Sequence, residues 1–147
     1  MAIKNPQSPR SIGRQLNFTT GRMNALCQKR LEPHGLSLQQ WAVLACLWRN
    51  GDLTVGALSE LVGTGLPAIS RIVDRMIERG LLDRRRDGAD RRVTVIKLTQ
   101  KGHGLRSLAS FYEDVNETLF AGFTTEEREL AFDLLQRMQQ NAERALD

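Results

Sequence analysis

A mainly α-helical domain carrying one small β-hairpin is what this sequence predicts, and three observations predict it. Apolar residues recur at helical spacing through most of the chain. The period changes between Leu81 and Leu98, where two short β-favouring runs, Leu82 to Arg86 and Arg92 to Leu98, flank the polar tetrad Asp87-Gly88-Ala89-Asp90. Glycine, proline and capping residues stand where helices would start and stop.

The elements follow in order. Met1 to Arg10 is polar and contains Pro6 and Pro9, so it reads as a loose N-terminal arm; no apolar run follows that would make it a signal peptide. A first helix is expected from about Ser11 to Leu31, with Ile12, Leu16, Met23, Cys27 and Leu31 at helical spacing and Pro33 and Gly35 marking its end. Ser37 and Gln40 form a capping box that starts a second helix to about Arg49, with an apolar stripe of Leu38, Trp41, Ala42, Ala45 and Trp48. Thr54 caps a short third helix carrying Val55, Leu58, Leu61 and Val62. After the break Gly63-Thr64-Gly65, Pro67 sits in the first turn of a fourth helix, where its missing N–H costs nothing. That helix places Ile69, Ile72, Val73, Met76 and Ile77 on one buried face and stops at Gly80. The hairpin comes next, with a polar, basic tip. Beyond Thr99 a long helix is expected with Leu105, Leu108, Tyr112, Val115 and Leu119 along one side. Thr124 and Glu127 cap the last helix, in which Ala131, Leu134 or Leu135, Met138, Ala142 and Ala145 repeat like a packing seam.

Bulk properties narrow the function. A chain of 147 residues fits one compact domain, or one small domain with a helical attachment, and no separate catalytic domain is expected. No apolar run approaches the ~20 residues that a membrane span needs, so a cytoplasmic protein is expected. Cys27 and Cys46 lack CxxC spacing and read as small core residues rather than a disulfide or redox switch. With only His34 and His103 besides, no metal site is expected. No nucleophile, base and orienting acid recur in a catalytic arrangement, no phosphate-binding loop follows a strand, and neither an enzyme nor a bound cofactor is expected. Net charge is +4, unevenly spread. Between Arg71 and Arg92 eight arginines face five acids, whereas from Thr124 onward six acids outweigh three arginines. One region suits a polyanion and the tail does not.

Two short helices joined by a tight glycine-containing turn and followed by a hairpin are the parts of a winged helix-turn-helix lobe. Burying the apolar stripe of the fourth helix leaves Pro67, Ala68, Ser70, Arg71, Asp74 and Arg75 outward. A major groove admits one helix, whose N-terminal residues reach base edges. There Arg71 can grip guanine O6 and N7, Ser70 can bond a base or phosphate, and Ala68 can touch a thymine methyl. Thr64 in the preceding turn and Arg75 one turn on complete the helix set. The hairpin concentrates Arg84, Arg85, Arg86, Arg91 and Arg92 beside that helix, and an arginine at a hairpin tip can enter the narrow minor groove. Asp90 is either a turn residue or the carboxylate that orients Arg92. Leu16, Met23, Leu119, Leu135 and Met138 lie on apolar stripes of helices at the two ends of the chain, which no single winged lobe can cover, so a homodimer is expected. Two other uses of the same fold stay open: a constitutive or architectural DNA-binding protein without effector, and a winged-helix protein-interaction module.

The stretches Leu66-Pro67-Ala68-Ile69-Ser70-Arg71-Ile72-Val73-Asp74-Arg75-Met76, Glu78-Arg79-Gly80-Leu81-Leu82, Asp90-Arg91-Arg92 and Leu98-Thr99-Gln100-Lys101-Gly102, together with the order of elements, resemble the MarR family of bacterial regulators. The resemblance implies a single domain over 11–147, with dimerisation helices at 11–35 and 100–147 around a DNA-binding winged lobe at 36–99. It further implies repression of transcription at palindromic operators and release by a small aromatic or phenolic effector bound between dimer region and lobe. Some branches sense oxidants through a cysteine early in the first helix. Here Leu16 and Asn17 stand near that place and Cys27 lies more than two turns later, so this route is not expected. Met23, Cys27, Trp41, Ala45, Trp48, Phe111 and Tyr112 are either the lining of such an effector cavity or plain core, with Arg30 or His34 as partners for an acidic ligand.

Overall fold

A computed structural model describes residues 10–147; of the N-terminal arm expected over 1–10, only Arg10 falls among them, and it is exposed. Helix α1 (Ile12–Leu31) opens where Ser11 accepts from the Arg14 N–H, and a short 3-10 turn, Glu32–His34, ends it. The Ser37–Gln40 capping box is closed in both directions at 3.1 Å and starts α2 (Leu38–Asn50). Thr54 accepts from the Ala57 N–H to start α3 (Val55–Val62). Gly63, at a φ of 72° that other residues rarely adopt, turns the chain towards α4 (Leu66–Glu78). Strands β1 (Leu82–Arg86) and β2 (Thr94–Leu98) pair antiparallel, Leu82 opposite Leu98 and Arg86 opposite Thr94. Leu53 adds a single bridge to Ile96 on the other edge of β2.

These elements close around one core. Val43, Leu44 and Leu47 of α2, Leu58 of α3, Ile69, Val73 and Met76 of α4, and Leu81, Leu82 and Ile96 at the base of the hairpin are all buried. Each helix thereby presents one stripe inward, which is where most of its stability arises. Two expectations shift. In α2 the buried side chains are Val43, Leu44, Leu47 and Trp48, while Leu38, Trp41, Ala42 and Ala45 are only half-buried. That helix is apolar around much of its circumference, so periodicity alone chose the flank of the buried face. In α4, Ile72 and Ile77 are likewise half-buried at the margins of the stripe.

The long helix expected after Thr99 is interrupted. Helix α5 covers only Gln100–His103, a 3-10 segment runs from Arg106 to Ser110, and α6 spans Phe111–Leu119. Beside the break Gly102 is tightly held: a Cβ there would collide with the Leu81 carbonyl, and the Gly102 carbonyl accepts from Trp48 Nε1 at 3.1 Å. Trp41 Nε1 donates to the Leu108 carbonyl at 2.7 Å, and the Trp41 and Phe111 rings meet edge to face at 5.2 Å. Two tryptophans thus hold this segment against α2, and the compact unit containing the lobe runs on to Phe111.

The second unit, Tyr112–Asp147, holds the rest of α6 and α7 (Thr125–Arg144). Thr124 and Glu127 form its capping box. Glu117 and Arg128 pair at 2.7 Å, the Arg128 guanidinium lies over the Phe120 ring, and Phe120 meets Phe123 and Phe132 edge to face. Helix α7 buries no residue, and Leu130, Phe132, Leu134, Leu135 and Met138 are exposed along it. No helix among the described residues is long and apolar enough to cross a membrane.

Candidate nucleic-acid interface

Helix α4 packs against α2 and α3 and buries its stripe of Ile69, Val73 and Met76. On the opposite side Pro67, Arg71 and Arg75 are exposed, and Ala68, Ser70 and Thr64 are half-buried. The Thr64 carbonyl accepts from the Ser59 hydroxyl at 2.6 Å, which fixes the turn between the two helices. Arg71 and Arg75 form no ion pair among the described residues. Two solvated guanidiniums on the outward face of α4, Arg71 midway and Arg75 in its last turn, suit a polyanion.

The wing divides its arginines by role. Arg84 reaches back to Asp74 of α4 at 2.8 Å, so one charge of the hairpin ties it to the outward helix. Arg85 pairs with Asp83 at 2.7 Å, and Arg86 donates to the Arg91 carbonyl at 3.1 Å. The loop between the strands takes in 87–93, longer than the expected tetrad, because Arg92 and Val93 leave the ladder. Asp87 N–H donates to the Val93 carbonyl and Val93 N–H to the Asp90 carbonyl, closing the tip on itself. Within it Asp90 accepts from Arg92 three times: from the backbone N–H at 3.0 Å, from Nε at 3.2 Å and from Nη2 at 3.2 Å. These bonds from Arg92 hold the Asp90 carboxyl below its ordinary pKa. The Arg92 side chain is nevertheless 91% exposed, so a charge is held in a fixed orientation without being covered. Arg91 beside it is also exposed.

Sequence reasoning named the arginines of the wing and Asp90 as a candidate partner of Arg92, but not Asp74 as the partner of Arg84. Asp74 and Arg84 lie ten residues apart on different elements, and no spacing rule connects them. A groove of about 590 Å³ along the wing, lined by Asp83, Arg85, Arg86, Gly88, Lys97, Leu98 and Thr99, was likewise outside any sequence signal.

Of the candidate effector residues, Trp41 and Phe111 touch, Cys27 and Trp48 are buried, and Met23, Arg30 and Ala45 are half-buried. Tyr112 is exposed in the second unit, where its hydroxyl donates to Glu113, and His34 is exposed in the turn after α1. Burial raises the pKa of both Cys27 and Cys46, against the smaller opposing pull of Arg30 and Arg49 respectively. A raised pKa leaves little thiolate, the form that reacts with oxidants.

Comparisons with known proteins bear on the same residues. The MarR family model matches residues 36–94. The chain is 31% identical over 136 residues to the uncharacterized HTH-type transcriptional regulator YwoH of Bacillus subtilis, covering 88% of this chain and 93% of YwoH. It is 29% identical over 122 residues to the HTH-type transcriptional regulator MhqR of the same organism, covering 82% and 83%. Among solved structures, Bordetella bronchiseptica BpsR, whose DNA binding is regulated by 6-hydroxynicotinic acid, superposes with a TM-score of 0.80 at 25% identity, over 92% of this chain and 98% of that one. A mutant MarR from E. coli complexed with operator DNA has the same fold, with a TM-score of 0.78 at 22% identity over 86% and 92% of the two chains.

Proposed function

This chain belongs to the MarR family of transcriptional regulators, and from that premise we propose that it represses transcription by binding a palindromic operator as a homodimer, releasing the DNA when a small aromatic or phenolic molecule binds. The observation that carries the DNA reading is the outward face of α4, where Arg71 and Arg75 stand exposed without ion-pair partners among the described residues, together with the oriented, exposed Arg92 of the wing. One helix for the major groove and one basic hairpin tip for the adjoining minor groove divide the work of base reading and shape reading. Such DNA work places the protein in the cytoplasm, and no catalytic step is assigned to it. The domain division at 36–99 and 100–147 belongs to the same reading.

Site selection from random DNA, followed by titration of the selected duplex at several salt concentrations, tests it. Arg71→Ala is expected to lose about 1–3 kcal/mol of discrimination between the selected and a scrambled site while the fold stays intact. Binding that neither falls with salt nor prefers a sequence would instead identify a protein-interaction lobe.

Regulation by a ligand is supported by the likeness to BpsR and by the edge-to-face pair of Trp41 and Phe111 in the first unit. Thermal-shift screening against small aromatic acids, with competition against bound operator, checks it. A protein that no such acid displaces from DNA would be a constitutive binder.

A further inference from the structure

We infer that Leu66 is a specificity-determining residue that reads the methyl group of a thymine in the major groove, an inference that rests on the placement of α4 against DNA. Leu66 is the first residue of α4 and is 53% exposed. Across 36–99 only Leu61 and Leu66 leave a large apolar side chain so open, in a lobe that otherwise turns its leucines inward. Its neighbours Pro67 and Ala68 also lack side-chain donors and acceptors, so the entering end of the helix is an apolar tip followed by Ser70 and Arg71.

The first residues of a groove-reading helix are those that reach base edges. The thymine 5-methyl is the one apolar group that base pairs present in the major groove, so an apolar tip distinguishes thymine from cytosine at that step. Water gives the same answer: an open leucine gains by covering its surface with another apolar group and gains nothing against a phosphate. Gly65, immediately before Leu66, agrees with a close approach from outside. Its φ of −56° suits any residue and a Cβ on it would meet nothing within 4 Å. It is the N-cap of α4, where glycine is among the favoured residues, and it leaves the entering end of the helix uncrowded.

The test uses the full-length protein and its selected site, with each thymine replaced in turn by deoxyuridine, which lacks only the methyl. At one thymine in each half-site the replacement is expected to weaken binding about fourfold, the equivalent of one buried methyl-sized group. Leu66→Ala should weaken binding to the thymine site about tenfold and make that deoxyuridine replacement silent. Leu66→Met, which keeps an apolar tip, should remain sensitive to it. Since Leu66 is exposed, the thermal midpoint of both variants should match the parent. A flat deoxyuridine scan on the parent, or an undiminished deoxyuridine effect in Leu66→Ala, overturns the assignment of Leu66 while leaving α4 as the reading helix. Failure of the parent to prefer the selected site over scrambled DNA overturns both.

Discussion

Apolar residues make up a similar share of the lobe built from α2, α3, α4 and the hairpin and of the unit built from α6 and α7, but the two use them in opposite ways. In the lobe Leu44, Leu47, Leu58, Ile69 and Met76 are sealed within one chain. In α7 no side chain is buried, and Leu130, Phe132, Leu134, Leu135 and Met138 lie open. A contiguous apolar surface of that kind on one chain marks an interaction face, and for a homodimer the cover is a second copy. The first unit closes a core around the lobe, whereas α7 leaves its apolar side chains open.

The sharpest way to break that comparison is to charge the open face. Leu135→Glu combined with Met138→Glu is expected to convert a dimer of about twice the 16.6 kDa chain mass into monomer by light scattering, with loss of binding to a two-half-site operator. A stable dimer in that double variant would mean that α7 is not the face that a second copy covers.

Truncation inside the lobe should act differently. Leu44→Ala opens a cavity in a closed core and should cost about 2–5 kcal/mol in denaturant unfolding. The same change at Leu130, 54% exposed in the chain, should cost far less unless the dimer covers it, so its effect should depend on protein concentration.

Smaller effects distinguish the arginines of the wing. Arg92→Ala should weaken DNA binding and make its salt dependence shallower by about one charge. Removing Asp90 takes a negative charge away from phosphate, yet it also frees Arg92 to wander, and an unrestrained arginine loses more side-chain entropy on binding. Asp90→Ala is therefore expected to bind more weakly than the parent, and a double-mutant cycle with Arg92→Ala should show coupling. Additive effects with tighter binding by Asp90→Ala would reduce Asp90 to a turn residue. Because Asp90 titrates below its ordinary value of 3.8, the contribution of this pair is present above that value and lost as the pH falls through the depressed one. It should stay flat from about pH 8 to pH 5.

The smallest effect expected on stability is at Asp74–Arg84, an ion pair with both side chains about half exposed. Arg84→Ala should change unfolding by no more than about 1 kcal/mol. Its consequence should appear in DNA binding instead, since that pair joins the helix to the wing.

Much of this was legible before any coordinates. Ser37, Thr54 and Thr124 start helices through bonds to backbone atoms three residues away, and such local chemistry is written in neighbouring letters. The single-stripe pattern of α4 and the change of period at Leu82 are local in the same sense. Asp90 and Arg92, two residues apart, were also within reach of sequence reasoning.

What failed was non-local. Nothing near residue 102 in the sequence announces that Leu81 and Trp48 crowd it, and helical spacing alone predicts an unbroken helix after Thr99 where the fold divides it. In the same way, the outward arginines look alike until Asp74, ten residues away on another element, claims Arg84 while Arg71 and Arg75 stay in solvent. Hydrogen bonds and periods that span one helical turn are set by residue order, and the sequence by itself determined the caps, the helix-turn-helix, the hairpin and its charge. Which face of an apolar helix is buried, where a helix must break and which charges remain unpaired depend on residues brought together from distant parts of the chain. Only the tertiary structure decided those, because burial and pairing are properties of neighbours in space rather than of neighbours in order.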